Sequence, residues 1–312
     1  MIISASRRTD IPAFYSDWLL NRLRQGYVLV RNPFNPNQVS RVPLDPRTVD
    51  CIVFWTKNPA PMLPRLEEID RLGYRSYFQF TLTAFDQELE TNVPPKAAVI
   101  ATFQELAARI GPERVLWRFD PILLTRTSPP AYHLHRFESL AEQLHRSTSR
   151  CTLSFLSLYE KCKRNLQGIE LLRLEEGEKM KFVTQLAAVA EKYSIRLSAC
   201  CDPFLNTQCG IEPAKCIDDR VLASILGHPV SVKKAVGQRA GCGCVASVDI
   251  GAYNTCPHGC RYCYANTSEG AVARNLAVHD PDSPLLTGAL TGRETLSVKK
   301  SISCRSPQPR LF

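Results

Sequence analysis

Residues 51–82 read CIVFWTKNPAPMLPRLEEIDRLGYRSYFQFTL. The short apolar run at 51–56, rich in branched and aromatic side chains, predicts a buried strand. An amphipathic stretch near 61–72 predicts a helix, and a second apolar run at 75–82 predicts another strand. This is one β-then-α unit, and the same alternation recurs on both sides of it. Upstream, residues 2–5 read as a first strand and 15–25 as a helix stopped by Gly26. Two runs, 27–31 and 38–44, flank Asn32-Pro33-Phe34-Asn35-Pro36-Asn37 and read as a β-excursion. Downstream come a helix near 95–110, a strand at 114–119, a helix opened by Pro129-Pro130 and running to about 147, a strand at 151–157, a helix at 176–193 and a strand at 195–200. Six such units within 200 residues imply parallel pairing with right-handed crossovers, hence an α/β fold of the (βα)6 partial TIM barrel type.

The chain has 312 residues and 44% apolar content, ordinary for a globular protein with a sizeable core. No run approaches the roughly 18 apolar residues of a membrane span, so no membrane partner is expected. The opening Met1-Ile2-Ile3-Ser4-Ala5-Ser6-Arg7-Arg8 reads as a strand and not as a secretion signal. A reducing, cytoplasmic setting follows as an expectation. The formal charge is +9, and residues 293–312 carry five basic groups against one acidic group. Much of the excess is thus assigned to a polar tail and not to a folded basic face. We expect a core at 1–200, a cysteine-rich iron–sulfur region at 201–270 packed on the barrel mouth, and a C-terminal helix with a basic tail at 271–312.

Thirteen cysteines in such a setting do not suggest a disulfide framework. Only Cys51, Cys151 and Cys162 precede residue 200, and Cys51 and Cys151 open apolar runs as small buried hydrophobes would. Near the C-terminus stands Cys256-Pro-His-Gly-Cys260-Arg-Tyr-Cys263. Three thiolates so spaced can hold three irons of a cubane cluster and leave the fourth open. With Tyr262 before the last cysteine, the segment resembles the CxxxCx(aromatic)C signature of radical S-adenosylmethionine enzymes. The resemblance implies a [4Fe-4S] cluster whose open iron takes S-adenosylmethionine, fed by a one-electron donor such as a flavodoxin or ferredoxin. The competing reading is a zinc site completed by His258 or a distant cysteine. Uneven ligand spacing and the aromatic favour the cluster. In most of that superfamily the loop follows the first strand. Here it follows 245–251, which reads as a strand feeding it, and no Gly-Gly-Glu-type stretch is present.

In parallel α/β folds functional side chains gather where strands end. Arg7, Arg8 and Asp10 follow the first strand, Lys57 and Asn58 the strand at 51–56, and Arg118 and Asp120 the strand at 114–119. Gln79, Thr81 and Thr83 lie along or beyond the 75–82 strand. The basic groups among them suit a cosubstrate carboxylate or an anionic substrate, and the alternative is a structural ion pair such as Arg118 with Asp120. A second group, Cys200, Cys201, Cys209, Cys216, Cys242 and Cys244, falls within 45 residues, and Gly243 lets Cys242 and Cys244 converge. A second [4Fe-4S] cluster on four of these is the first reading, with zinc as the competitor and Cys201 and Cys209 as spares.

Several stretches are similar to the bacterial domain-of-unknown-function family 1848. They include ISASRRTDIPA at 3–13, VRNP at 30–33, FWTKNP at 54–59, CID at 216–218, Gln238-Arg239 with Cys242-Gly243-Cys244, and DIGAYNTC at 249–256 running through to Asn266. The resemblance implies Cys200, Cys216, Cys242 and Cys244 as the ligands of the second group and names no substrate. The terminal Gln308-Pro309-Arg310-Leu311-Phe312 resembles the QxxLF peptide by which bacterial DNA repair and replication proteins dock on the sliding clamp. The reading is therefore a non-standard radical S-adenosylmethionine enzyme of unknown substrate. The alternatives are a non-catalytic iron–sulfur or zinc module and a nucleic-acid repair or modification enzyme.

Overall fold

A computed structural model describes residues 1–239 and 241–305. The chain runs β1 (Ile2–Ala5), α1 (Ile11–Phe14), α2 (Ser16–Gln25), β2 (Tyr27–Arg31), β3 (Gln38–Pro43), β4 (Cys51–Thr56), α3 (Leu66–Arg71), β5 (Ser76–Thr81) and α4 (Lys96–Ile110). It continues through β6 (Val115–Ile122), α5 (Pro130–Leu144), β7 (Arg150–Phe155), α6 (Glu160–Asn165), α7 (Glu176–Lys192), β8 (Arg196–Ala199), α8 (Pro203–Thr207) and β9 (Glu212–Pro213). It closes with α9 (Asp219–Leu226), β10 (Val248–Asp249), α10 (Glu269–Ala277) and β11 (Thr295–Val298). Local chemistry sets many of the ends. Gly26 stops α2 at φ +75°, and reciprocal hydrogen bonds between Glu175 and Glu178 open α7. Pro61 and Pro64 hold residues 60–65 in a tighter 3-10 turn, so the helix predicted at 61–72 begins only at Leu66.

The main sheet has eight strands in the order β10-β1-β4-β5-β6-β7-β8-β9, and every pairing is parallel. The six predicted units appear as six consecutive neighbours, β1, β4, β5, β6, β7 and β8. A sheet that advances in one direction through right-handed crossovers must carry its helices on one face. The burial pattern agrees with this. Phe80, Trp117, Cys151 and Leu197 stand in register and share a core with Leu19, Leu66, Phe103, Phe137 and Leu186 of the helices. The sheet does not close. Among the described residues β10 and β9 are its two ends and do not pair, so no closed barrel forms.

Because successive side chains alternate between faces, the other face presents Ile2, Cys51, Val53, Tyr77 and Leu116. This inner face is covered by Cys200, Ala214, Cys216, Ile217, Val221, Leu222, Cys242, Cys244, Val245 and Cys304. The cysteine-rich segment therefore lies in part along the inner face and not wholly at the strand ends. A smaller sheet, β11-β3-β2, joins the predicted β-excursion to the C-terminal segment. Thr295–Val298 pairs with β3, and Cys304 donates its backbone N–H to Asp50 at 2.7 Å. The expectation of a free tail from 293 is thus corrected up to Arg305: the exposed edge of β3 supplies hydrogen-bond partners that draw this segment in. The QxxLF residues lie outside the described residues. Among the described residues no helix is long and apolar enough to cross a membrane.

Candidate functional site

The strand predicted at 245–251 is reduced to β10, whose two residues pair with β1. Asp249 supplies most of the attachment. Its carboxylate accepts from Ser4 Oγ at 2.8 Å, Ser6 Oγ at 2.6 Å, the Arg7 N–H at 2.9 Å and the Gly251 N–H at 3.1 Å. Gly251 must be glycine, since a Cβ there would stand 2.1 Å from Ser6 Oγ. From this anchor the chain enters the CxxxCxxC loop at the C-terminal end of the sheet. Asn266 Nδ2 donates to the Cys256 carbonyl at 2.6 Å, and the Tyr15 hydroxyl donates to that of Thr255.

The opposite side of the loop is held by residues 89–92, to which the sequence reading gave no role. Arg261 N–H donates to the Leu89 carbonyl and Asn92 N–H to that of His258, each at 2.9 Å. Asn92 Nδ2 donates to the Pro257 carbonyl at 2.8 Å. Gly259 sits at φ +68° where a Cβ would press on Asn92 and Thr91 at 3.2 and 3.3 Å. Buried Glu90 then gathers side chains from four directions. It accepts from Lys57 Nζ at 2.7 Å, Lys96 Nζ at 3.0 Å, Thr83 Oγ1 at 2.5 Å and the Tyr262 hydroxyl. Burial works against its charge, but the two lysines hold its pKa down to about 2. The sequence reading did not use the length of the connection between β5 and α4, which marks the segment as a functional loop without singling out Glu90.

The three loop cysteines lie within electrostatic reach of one another. Burial pushes the Cys256 thiol up, with Asp10, Cys263 and Cys260 adding to it. Burial also raises Cys263, and it raises Cys260 to about 12 against the pull of Lys57. All three residues remain partly exposed. His258 commits one ring nitrogen elsewhere, while its buried Nδ1 has no hydrogen-bond partner among the described residues. Its Nε2 is 2.8 Å from Asp10 Oδ2, and its ring meets Phe14 edge-on. Asp10 also accepts from the Lys57 N–H at 2.7 Å and caps α1 through Ala13 N–H at 3.0 Å. It therefore clamps three segments and has no oxygen left free of protein contacts.

Among the described residues no three His, Cys, Asp or Glu side chains converge as a single metal ion would require. A mononuclear zinc needs donors about 2.0–2.3 Å from one point. A cubane would spread its thiolates over separate irons, and Cys256, Cys260 and Cys263 are the residues that would hold it.

The second cysteine group assembles on the inner face. Cys200 and Cys216 sulfurs are 3.6 Å apart, and Cys244 Sγ accepts from the Ile217 N–H at 3.5 Å. Cys242 packs in the same cluster. Cys201, set aside as a spare, stands 3.9 Å from Cys200, and its thiol is drawn down to about 6, chiefly by that contact. Cys209 packs instead at the edge of the main core. Arg118 Nη1 donates to Cys216 Sγ at 2.9 Å, and Nη2 pairs with Asp120. Arg239 reaches Cys200 Sγ at 3.8 Å. Of the remaining cysteines, Cys51 and Cys151 are wholly buried as predicted, and Cys162 donates to the Tyr262 carbonyl at 3.1 Å.

Arg7, Arg8 and Lys57 rim the space above this face. Arg7 lies over the Trp55 ring at 5.3 Å, Arg8 over Tyr253 at 5.4 Å and Lys57 over Tyr262 at 5.5 Å. Trp55, Glu90, Arg239 and Asp249 are the neighbours that the sequence reading left without a role.

Fold and site together define a singly wound parallel α/β protein with one cysteine group on its inner sheet face and another in a loop at the C-terminal end of the sheet. The family model described as a domain of unknown function (DUF1848) matches residues 2–265, and the chain belongs to that family. The match takes in both cysteine groups and ends before α10. No curated relative and no solved structure matches the chain.

Proposed function

We propose that this protein is a radical S-adenosylmethionine enzyme with a catalytic [4Fe-4S] cluster on Cys256, Cys260 and Cys263. One observation carries the reading. Three cysteines of one short loop lie within electrostatic reach of one another beyond the C-terminal end of a parallel sheet, while His258 Nε2 is tied back to Asp10. The six consecutive strands with helices on one face support the related inference of a partial-barrel ancestry, with β10 placed beside β1 as a permuted first strand.

When bound, such a cluster supplies one electron and an open iron corner at which S-adenosylmethionine is reductively cleaved. The chain's own residues do the rest. Lys57 places a cation beside Cys260, and Glu90 fixes Lys57 and Tyr262 in position. Asp10 holds His258 Nε2 and so fixes the ring beside the loop. Cys200, Cys216, Cys242 and Cys244 would hold a second [4Fe-4S] cluster or a zinc ion, with Arg118 and Arg239 donating to its sulfurs. The electron would come from a flavodoxin- or ferredoxin-class donor.

The test is anaerobic purification and reconstitution, with iron, sulfide and zinc measured on one sample. Dithionite reduction with S-adenosylmethionine and chromatography for 5′-deoxyadenosine then follow. The expected result is a brown protein that forms 5′-deoxyadenosine, and a Cys260→Ala variant that does not. A colourless protein with stoichiometric zinc would overturn the proposal in favour of a non-catalytic metal module.

A further inference from the structure

We propose that Arg7, Trp55 and Arg118 form an oxyanion subsite between the two cysteine groups that takes a carboxylate or phosphoryl group of the substrate. The assignment rests on reading the inner face as the side where the reaction occurs.

The position follows from strand geometry. Along β4 and its extension, Val53, Trp55 and Lys57 point to the same side, each about 7 Å beyond the last. Val53 belongs to the inner cluster with Cys200, Cys216, Cys242 and Cys244, while Lys57 faces Cys260. Trp55 is the step between them. Arg7 and Arg118 both stand over its ring, at 5.3 and 5.1 Å.

The donors decide what binds. Among the described residues, Trp55 Nε1 and Arg7 Nη2 are cut off from solvent and have no hydrogen-bond partner. Neither atom can accept, so whatever meets them must present acceptors. Elsewhere Arg7 gives its backbone N–H to Asp249 and Nη1 to Gln238 Oε1 at 3.2 Å. The carboxylates nearby are used as well. Asp249 serves β1 and its own turn, and Asp120 takes Arg118 and Ser154. Arg118 and Arg239 have Asp120 and the sulfurs of Cys216 and Cys200 beside them, whereas among the described residues the Arg7 guanidinium forms no ion pair and leaves its charge uncompensated over Trp55. An acceptor in a positively charged, desolvated place is an anion. At the rim, Arg8 and Lys161 both lie over Tyr253, at 5.4 and 5.1 Å, and extend the same field outward.

The experiment is calorimetric titration of anaerobically purified full-length protein with inorganic phosphate and, separately, with acetate, its metal content measured on the same sample. At least one anion should bind saturably at one site. Arg7→Gln and Trp55→Phe should each weaken it about tenfold or more, and Arg7→Lys should retain part of the affinity. Phosphate or acetate should also shift the tryptophan emission of the wild type, and Trp55→Phe should abolish that shift although Trp18 and Trp117 remain. No binding of either anion, or unchanged affinity in both weakened variants, overturns the subsite. Displacement of the anion by S-adenosylmethionine alone would assign the site to the cosubstrate and overturn its assignment to substrate. A metal-free protein that still binds the anion would sink the cluster reading and leave this one standing.

Discussion

Glu90 shows how one carboxylate can hold a site together without touching a sulfur. Two lysines, a threonine and a tyrosine end on it, and it is almost wholly buried. Removing one member of a buried charge pair costs about 3–5 kcal/mol, because the partner is left in a poor medium. Glu90→Gln keeps the shape and deletes the charge while Lys57 and Lys96 stay buried. We expect a loss of about 3 kcal/mol or more in urea unfolding, and a loss below 1 kcal/mol would refute the keystone role. Residue by residue, the cysteine spacing was visible in the sequence, and the structure brings Cys200 and Cys216 to 3.6 Å. Glu90 was not, since its partners lie in four separate segments and no local pattern marks their meeting.

At the scale of elements, β10 is the weak and decisive piece. It contributes two paired residues and depends on Asp249 for its hold on β1. The Ile250 N–H donates to the Ser4 carbonyl at 3.0 Å and so reports directly on this seam. In Asp249→Ala the Ile250 amide should exchange at least tenfold faster, with the amides of β5 and β6 unchanged. Equal exchange in both proteins would show that backbone pairing alone suffices. The six β-then-α units were legible because each carries its own period. The segment feeding the loop looked longer in sequence than it is, since the valines and isoleucine at 245–250 mark burial whether or not they pair. Helices α6, α8 and α9 escaped notice, being too short for a period to declare itself.

The whole molecule carries a built-in acid sensitivity. His133 is completely buried in α5, its Nε2–H donating to the Leu123 carbonyl at 2.9 Å, and burial lowers its pKa from 6.5 to about 4. The unfolded chain takes up this proton near pH 6.5 and the folded one near pH 4. Stability from this group is therefore complete above pH 6.5 and is lost as pH falls toward 4. Between pH 7.5 and pH 5 the loss is about 2 kcal/mol. Urea midpoints across that range should fall in the wild type and fall visibly less in His133→Gln, and parallel slopes would exclude the residue. Sheet order and the one-sided helix layer followed from alternation and handedness. The open edges and the filling of the inner face did not, since both depend on where a loop-rich segment settles after the strands are in place.

That late settling has a consequence for biogenesis. Asp249 lies 245 positions after Ser4, so the edge strand joins the sheet only after residue 249 has left the ribosome. Until then Lys57, Glu90 and Asp10 wait without the sulfur trio they surround. On the cluster reading proposed above, iron and sulfide could be loaded only after residue 263 has been made, and a translation product cut short before it would carry the scaffold with nothing to charge.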